Sequence, residues 1–242
     1  MGLKLLCVIA HPDDECFGFG GALILAAEQG VETHVVCLTS GQAASYRGNA
    51  RSPEELARMR SAEFDASCEV LGISHHEIWD YQDAQLEFAD FSAAAGRLVA
   101  KMREFKPDVV LTFGSDGAVN THPDHCMVSA FTCAAFHWAA SPKRYPQLGP
   151  LHHAQRLFVL TTNFFIPGRP APMPAPWTVT LDIRHAMARK HEAFCRHVSQ
   201  APLMLQTKEL FARFGQTEHY LLLASPEMGP ARQMTSLFEG LG

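Results

Sequence analysis

The chain has no Cys-x-x-Cys pair, although it carries seven cysteines, at positions 7, 16, 37, 68, 126, 133 and 195. Scattered, odd in number and mostly in apolar runs, they argue against a disulfide framework and predict reduced, buried thiols in the cytoplasm. No stretch reaches the ~18 consecutive apolar residues of a membrane span. The start, Met1-Gly2-Leu3-Lys4, runs straight into a strand pattern without a secretory signal. Leu6 stands where myristoylation of Gly2 would want Ser or Thr. Positive charge is in short supply. Twenty Lys and Arg face twenty-five Asp and Glu, the net charge is −5, and like charges never cluster, so a general nucleic-acid surface is excluded. Gly18-Phe19-Gly20-Gly21 is not Gly-x-Gly-x-x-Gly, so a nucleotide-binding turn is not indicated. No internal repeat is present beyond one short tripeptide.

What remains is the composition of an ordinary globular protein, 242 residues long, 47% hydrophobic and 19% charged. Apolar runs at 5–10, 33–39, 78–81, 108–113 and 156–162 read as strands. Helical patterns at 20–29, 53–72, 92–105 and 123–140 alternate with them. The second of these helical patterns, with Ser52 as cap and Pro53 in the first turn, is expected to bury Leu56, Met59, Val70 and Leu71. Repeated β-α-β units with apolar strands predict an α/β fold. It is Rossmann-like and doubly wound, with a mainly parallel sheet and helices on both faces. Five prolines between 167 and 176 mark a stiff surface loop. A strand at 177–181, helices at 183–197 and 207–213 and a strand at 218–224 are expected to complete the same sheet. One domain over 1–242 is the reading.

The tripeptide His-Pro-Asp occurs twice, each time after a strand pattern and before a helical one. The first instance lies in Ala10-His11-Pro12-Asp13-Asp14-Glu15, the second in Thr121-His122-Pro123-Asp124-His125. Such turns lie in the crevice at the carboxyl ends of a doubly wound sheet. His11, Asp14 and His125 together offer a two-histidine, one-carboxylate metal set with room left for water. Asp13, His122 and Asp124 are left over for acid–base work. Other histidines carry less: His75-His76 and His152-His153 read as solvated, and His137 as a core or edge residue.

With these motifs, and Gly20-Gly21 behind the first, the chain resembles the LmbE/PIG-L superfamily of zinc-dependent N-acetylglucosamine deacetylases. Softer matches are Arg60 and Glu63 before Leu71-Gly72, Asp83 with Leu86, and Lys190 with Ser199-Gln200. The resemblance implies a zinc ion on His11, Asp14 and His125, with ferrous iron or another divalent ion also compatible. It implies Asp13 as general base, protonated His122 as oxyanion stabiliser, and Asp124 orienting His122 and raising its pKa. Arg60, Asp83 and Asn120 are expected to touch the sugar or its aglycone, Arg60 being suited to a carboxylate. The stretch Cys68–Ile73 and Leu86-Glu87-Phe88 is most similar to the bacillithiol branch, which acts on N-acetylglucosaminyl-malate. Ala84 and Thr121 stand where many relatives have Gly, and Asn120 where they have an aromatic residue or Gly. The implied partner is a small-molecule sugar conjugate, with no nucleic acid and no membrane, and a homo-oligomer is expected. Two other classes share the ligand set: a non-haem iron oxygenase and a non-catalytic metal scaffold.

Overall fold

The computed structural model describes residues 2–166, 168 and 170–241. Pro167 and Arg169 of the proline-rich stretch lie outside the described residues. Chain order is β1 (Lys4–Ile9), α1 (Asp14–Phe17), α2 (Gly20–Glu28), β2 (Glu32–Thr39), α3 (Pro53–Leu71), β3 (His75–Tyr81), α4 (Phe91–Phe105) and β4 (Val109–Phe113). Then come α5 (Pro123–Ala139), β5 (Arg156–Thr161), β6 (Val179–Asp182), α6 (Met187–Cys195), α7 (Ala201–Phe214) and β7 (Thr217–Ala224). The strands form one seven-stranded sheet in the order β3-β2-β1-β4-β5-β7-β6. The first five run parallel, while β7 pairs antiparallel with both β5 and β6. Helix α4 packs on α5, and α2, α3 and α6 pack together as a second layer.

This arrangement follows from burial. Every residue from Leu5 to Ala10 is fully buried, as are Val109, Val110 and Leu111 beside them. Strands so apolar must be covered on both faces, which parallel β-α-β crossovers achieve. The chain winds one way from β1 and the other way from β4, and β1 and β4 are neighbours. The carboxyl ends of those two strands are therefore the switch point, and both His-Pro-Asp turns leave from there.

Several boundaries differ from the sequence pattern for local reasons. Ser52 caps α3, its hydroxyl accepting from the Glu55 N–H at 3.2 Å, and Gly72 ends it at φ 75°. The buried face of α3 is Leu56, Arg60, Glu63, Phe64, Ser67, Cys68 and Leu71, whereas Met59 and Val70 are half-buried. Polar residues on that face escape a hydrophobicity pattern because they point at other buried polar groups. β3 is longer than its apolar part, since it is an edge strand on which the exposed His75 and His76 pair with Glu32 and Asp65. Helix α7 begins six residues before the expected 207, because Pro202 fits a first turn. His137 and Cys195 are exposed rather than buried. Among the described residues no helix is long and apolar enough to cross a membrane.

The antiparallel edge is tied to the front of the sheet by Glu218. Its carboxylate accepts from the Gly21 N–H (2.7 Å), the Ala22 N–H (2.8 Å), Lys190 Nζ (2.6 Å) and the Tyr220 hydroxyl (2.8 Å). A Cβ on Gly21 would lie 2.7 Å from Glu218 Oε1 and 2.5 Å from Ile183 Cγ2, so glycine is required there. Removing one charge from a buried, saturated pair strands the other. Glu218→Gln is expected to lower unfolding free energy by ~3 kcal/mol in urea titration; a loss under ~0.5 kcal/mol, the level of an ordinary surface change, would mean that the network does not hold the edge.

Candidate metal and acid–base centre

Asp14, the first residue of α1, is the hub. Its Oδ2 accepts from the backbone N–H of His11 (2.8 Å) and of Ala10 (3.2 Å), which fixes the turn after β1. The same oxygen lies 3.6 Å from His11 Nδ1, and Oδ1 lies 3.2 Å from His125 Nε2. Both imidazoles are anchored through their outer nitrogens. His11 Nε2 meets Asp83 Oδ1 at 3.0 Å and Asp124 Oδ2 at 3.1 Å. His125 Nδ1 meets the Gly117 carbonyl at 3.2 Å, and its ring stacks on Phe113 at 3.9 Å between centroids. Acceptors on the outer nitrogens place the N–H there and turn the lone pairs of His11 Nδ1 and His125 Nε2 inward, toward Asp14. That is how histidine is prepared for a metal. The donor set thus fits a divalent ion.

Among the described residues, three groups of three have ligating atoms within 4.8 Å of one another: Glu15, Cys16 and His197; His11, His122 and His125; and His11, Asp83 and Asp124. The carboxylates of the last group are engaged elsewhere. Asp83 Oδ2 accepts from the Ala43 N–H at 2.8 Å, and Asp124 accepts from the N–H groups of Ala84 (2.7 Å) and Leu86 (3.2 Å). The expectation that Asp124 orients the His122 ring with its carboxylate is corrected: that carboxylate holds His11. Only the Asp124 backbone reaches His122, its N–H donating to Nδ1 at 3.2 Å, so His122 caps α5. An accepting Nδ1 cannot also carry a proton. Burial, and then the neighbouring His11 and His125, push the His122 pKa down to about 4. The ring is therefore neutral near pH 7, with its Nε2–H free, and is not the imidazolium expected from sequence.

Asp13 sits beside the hub without touching either histidine. Its backbone is left-handed, at φ 119°, a conformation that a non-glycine residue adopts only at a cost of ~1–3 kcal/mol. Arg60 Nη2 donates to Asp13 Oδ2 at 3.0 Å. The guanidinium also donates to the carbonyls of Pro12 and Gly41 and is buried. Burial lifts the Asp13 pKa, Arg60 draws it back, Asp14 adds to the rise, and the net position is about 6. Burial would also raise Asp14, but the charges of His125 and His11 hold it well below the carboxylate range. For His11, burial opposes charge, yet the hydrogen bonds to Asp124 and Asp83 and the charge of Asp14 lift its pKa to about 10. Without a cation nearby, His11 keeps a proton that a metal would displace.

All nine residues singled out from the sequence line or adjoin one cleft at this point. The cleft encloses ≈ 780 Å³ counting its open mouth, and Ala43, Ser45 and Gln200 complete its polar rim. Asn120 lies on its wall, with Oδ1 accepting from the His122 N–H at 3.2 Å. Arg60 and Asp83 line the cleft too, although their polar atoms are directed at Asp13 and His11. Ala84 and Thr121 both have left-handed backbones, at φ 61° and 51°, which is why glycine suits those positions.

One pair was beyond the sequence pattern. Glu15 is fully buried and accepts from the Asp13 N–H (2.8 Å), from Ser67 Oγ (2.6 Å) and from His197 Nε2 (2.7 Å), a residue 182 positions away. His197 is itself fully buried. Burial opposes its charge, but Glu15 and Asp13 raise its pKa. No local signal marks His197, because it lies outside both turns.

Residues 6–136, more than half of the chain, match the family model described as PIG-L: GlcNAc-PI de-N-acetylase. A mycothiol S-conjugate amidase of Streptomyces coelicolor is 34% identical over 164 residues, 60% of this chain and 55% of that protein. A probable N-acetyl-α-D-glucosaminyl L-malate deacetylase 2 of Bacillus cereus is 33% identical over 127 residues, 52% and 57% of the two chains. The chain thus spans little more than half the length of these two relatives. A 1D-myo-inositol 2-acetamido-2-deoxy-α-D-glucopyranoside deacetylase of Rhodococcus jostii is 26% identical over 289 residues, 99% of this chain and 98% of its own. Among solved structures, N,N'-diacetylchitobiose deacetylase of Pyrococcus horikoshii superposes with a TM-score of 0.71 at 22% identity, covering 98% of this chain and 86% of its own. The 4-carboxy-2-hydroxymuconate hydratase of Pseudomonas putida gives 0.73 at 20%, covering 94% and 99%. At those identities the superpositions speak to the fold alone. On the extent of the family match, the chain belongs to the PIG-L family.

Proposed function

We propose that the protein is a metal-dependent amide hydrolase that removes the N-acetyl group from an N-acetylglucosamine conjugate. One observation carries the reading: two imidazoles turned inward on Asp14, with an unligated carboxylate, Asp13, poised beside them. A scaffold that only retained a metal would need neither Asp13 nor a free His122 Nε2–H. An oxygenase would have no use for a base with a pKa near 6.

His11, Asp14 and His125 would hold the ion. Zinc suits imidazole and carboxylate, as does ferrous iron. Such an ion, when bound, polarises the acyl carbonyl and acidifies water. Asp13 takes the proton of the attacking water and hands it to the amine as the C–N bond breaks. Its pKa of about 6 leaves it ionised at neutral pH and still able to release a proton. Arg60 keeps the accepting oxygen in place. His122, neutral, donates its Nε2–H to the oxygen that gains charge, a contribution typically worth ~10²–10³ in rate. Asp83 and Asp124 fix His11, and Asn120 remains a contact for the sugar.

The aglycone reading changes with the structure. Malate would want a free cation, and among the described residues lining the cleft Arg60 is the one Lys or Arg, already bound to Asp13, Pro12 and Gly41. The end-to-end match with a GlcNAc-inositol deacetylase favours a neutral, hydroxyl-rich aglycone instead. Seven unpaired cysteines support a cytoplasmic location.

His125→Ala should lose most of its divalent ion by elemental analysis, and full occupancy in that variant would move the ligand set elsewhere. Asp13→Asn should keep the ion and hold KM within a few-fold, while kcat falls by ~10²–10⁴. The base works only when deprotonated, so wild-type kcat should fall as pH drops through about 6. That limb should be missing in Asp13→Asn. Near-normal turnover by Asp13→Asn would remove the base.

A further inference from the structure

The polar cleft has a second lobe on the far side of Asp14 and His125. The two lobes share Asp14, Phe17, Asn120 and His125, so these four residues form the partition between them, while His11 lines the polar lobe. The second lobe encloses ≈ 640 Å³ counting its open mouth. Its walls are Phe17, Phe113, Val119, Leu160, Phe164 and Phe211. Phe211 packs edge-on against Phe17 at 4.6 Å between centroids, and Phe164 is backed by Phe214 at 5.4 Å.

Apart from Asn163, the polar side chains lining this lobe away from the partition are already paired. Lys190 Nζ is held by Glu218, whose carboxylate takes four donors. Thr161 Oγ1 donates to the Ala175 carbonyl at 2.8 Å, and Thr162 Oγ1 to the Phe164 carbonyl at 2.9 Å. His219 is bracketed by Thr217 Oγ1 at 3.1 Å and Thr180 Oγ1 at 3.3 Å. Asn163 is exposed at the mouth. A polar ligand entering the lobe would lose water without gaining partners, whereas an apolar one gains contact with six hydrophobic side chains.

We infer that this lobe receives the acyl side of the amide, and that the protein hydrolyses N-acyl conjugates whose acyl chain is apolar and longer than acetyl. The inference rests on the amide-hydrolase reading. An amide held at the partition has its amine-bearing sugar on one side and its acyl carbon's substituent on the other. With the sugar among the polar groups, the substituent extends past Asp14 and His125. The reaction is otherwise unchanged: the C–N bond breaks, water supplies OH to the acyl carbon and a proton to nitrogen, and a short-chain carboxylate leaves with the free amine.

The test is binding, measured by calorimetry on metal-reconstituted Asp13→Asn so that bound amide persists. The probes are methyl glycosides of N-acetyl-, N-butanoyl- and N-hexanoyl-glucosamine, and the hexyl glycoside of N-acetylglucosamine. Each buried methylene is worth about fourfold in affinity, so Kd should fall at least tenfold from acetyl to hexanoyl. The hexyl glycoside should stay within twofold of its methyl counterpart. Adding Val119→Phe, which fills the lobe from a half-buried position in the short 3-10 helix Ala118–Asn120, should cut the acyl gain below threefold. Phe211→Ala, which widens the lobe, should shift the preferred chain upward. A flat or rising Kd along the acyl series, or no measurable binding by any probe, overturns the proposal. So does a gain that follows the glycoside chain, or one that survives Val119→Phe. Failure of the wild type to release acetate would instead sink the hydrolase reading, since the Kd series answers for the lobe separately.

Discussion

Buried negative charge is the constraint on which this structure turns. Asp14, Glu15, Asp83 and Asp124 are buried and Asp13 nearly so, all beyond the carboxyl ends of β1, β3 and β4. An ionised carboxylate withdrawn from water must be matched by donors or positive charge. Asp14 takes two backbone N–H groups and two imidazoles. Asp124 and Asp83 share His11 and three backbone N–H groups. Glu15 takes His197, Ser67 and the backbone of Asp13. Asp13 depends on Arg60, from α3. A divalent ion among His11, Asp14 and His125 would complete this matching while taking the place of the proton on His11.

The same accounting separates the two aspartates of the first turn. They are adjacent in sequence and would be equivalent in water. Asp14 lies against two imidazoles and is held firmly ionised, whereas Asp13 has one guanidinium against substantial burial and rests near pH 6. The left-handed backbone at Asp13 parts the two side chains, so that Asp13 meets Arg60 of α3 while Asp14 meets His11 and His125. That backbone is kept by the Glu15 carboxylate on its N–H and by Arg60 on its side chain. Gly41 leaves room for the guanidinium, since a Cβ there would collide with it. The chemistry of two carboxylates is therefore set by α3 and by His197 near the end of α6.

Much of this was legible in the residues themselves. Fully apolar strands and capped helices declared a doubly wound sheet, and two His-Pro-Asp turns pointed to the cleft that their residues line together. What escaped the sequence is the direction of polar side chains. Arg60 occupies the buried face of α3, where a hydrophobicity pattern expects an apolar residue, and it serves Asp13. Asp124 was paired with His122 by proximity, yet the first turn of a helix sends its carboxylate to His11 and leaves His122 to its backbone N–H. His197 is invisible because nothing local reveals a partner 182 residues away. The antiparallel strand β7 could not be told from a parallel one, as direction depends on the connection from α7 and not on composition. The second, apolar lobe is assembled from β4, β5, α1, α7 and the segments that follow the two strands, and no single segment announces it.

The account stands on a metal-dependent scission of an amide. The most direct measurement is the joint yield of carboxylate and free amine from an N-acetylglucosamine conjugate. It would be made with protein stripped by a chelator and then given divalent zinc in steps. The predicted result is no product from stripped protein, equal amounts of the two products on repletion, and a plateau at one ion per chain. Full activity after stripping, or consumption of the conjugate without free amine, would contradict it.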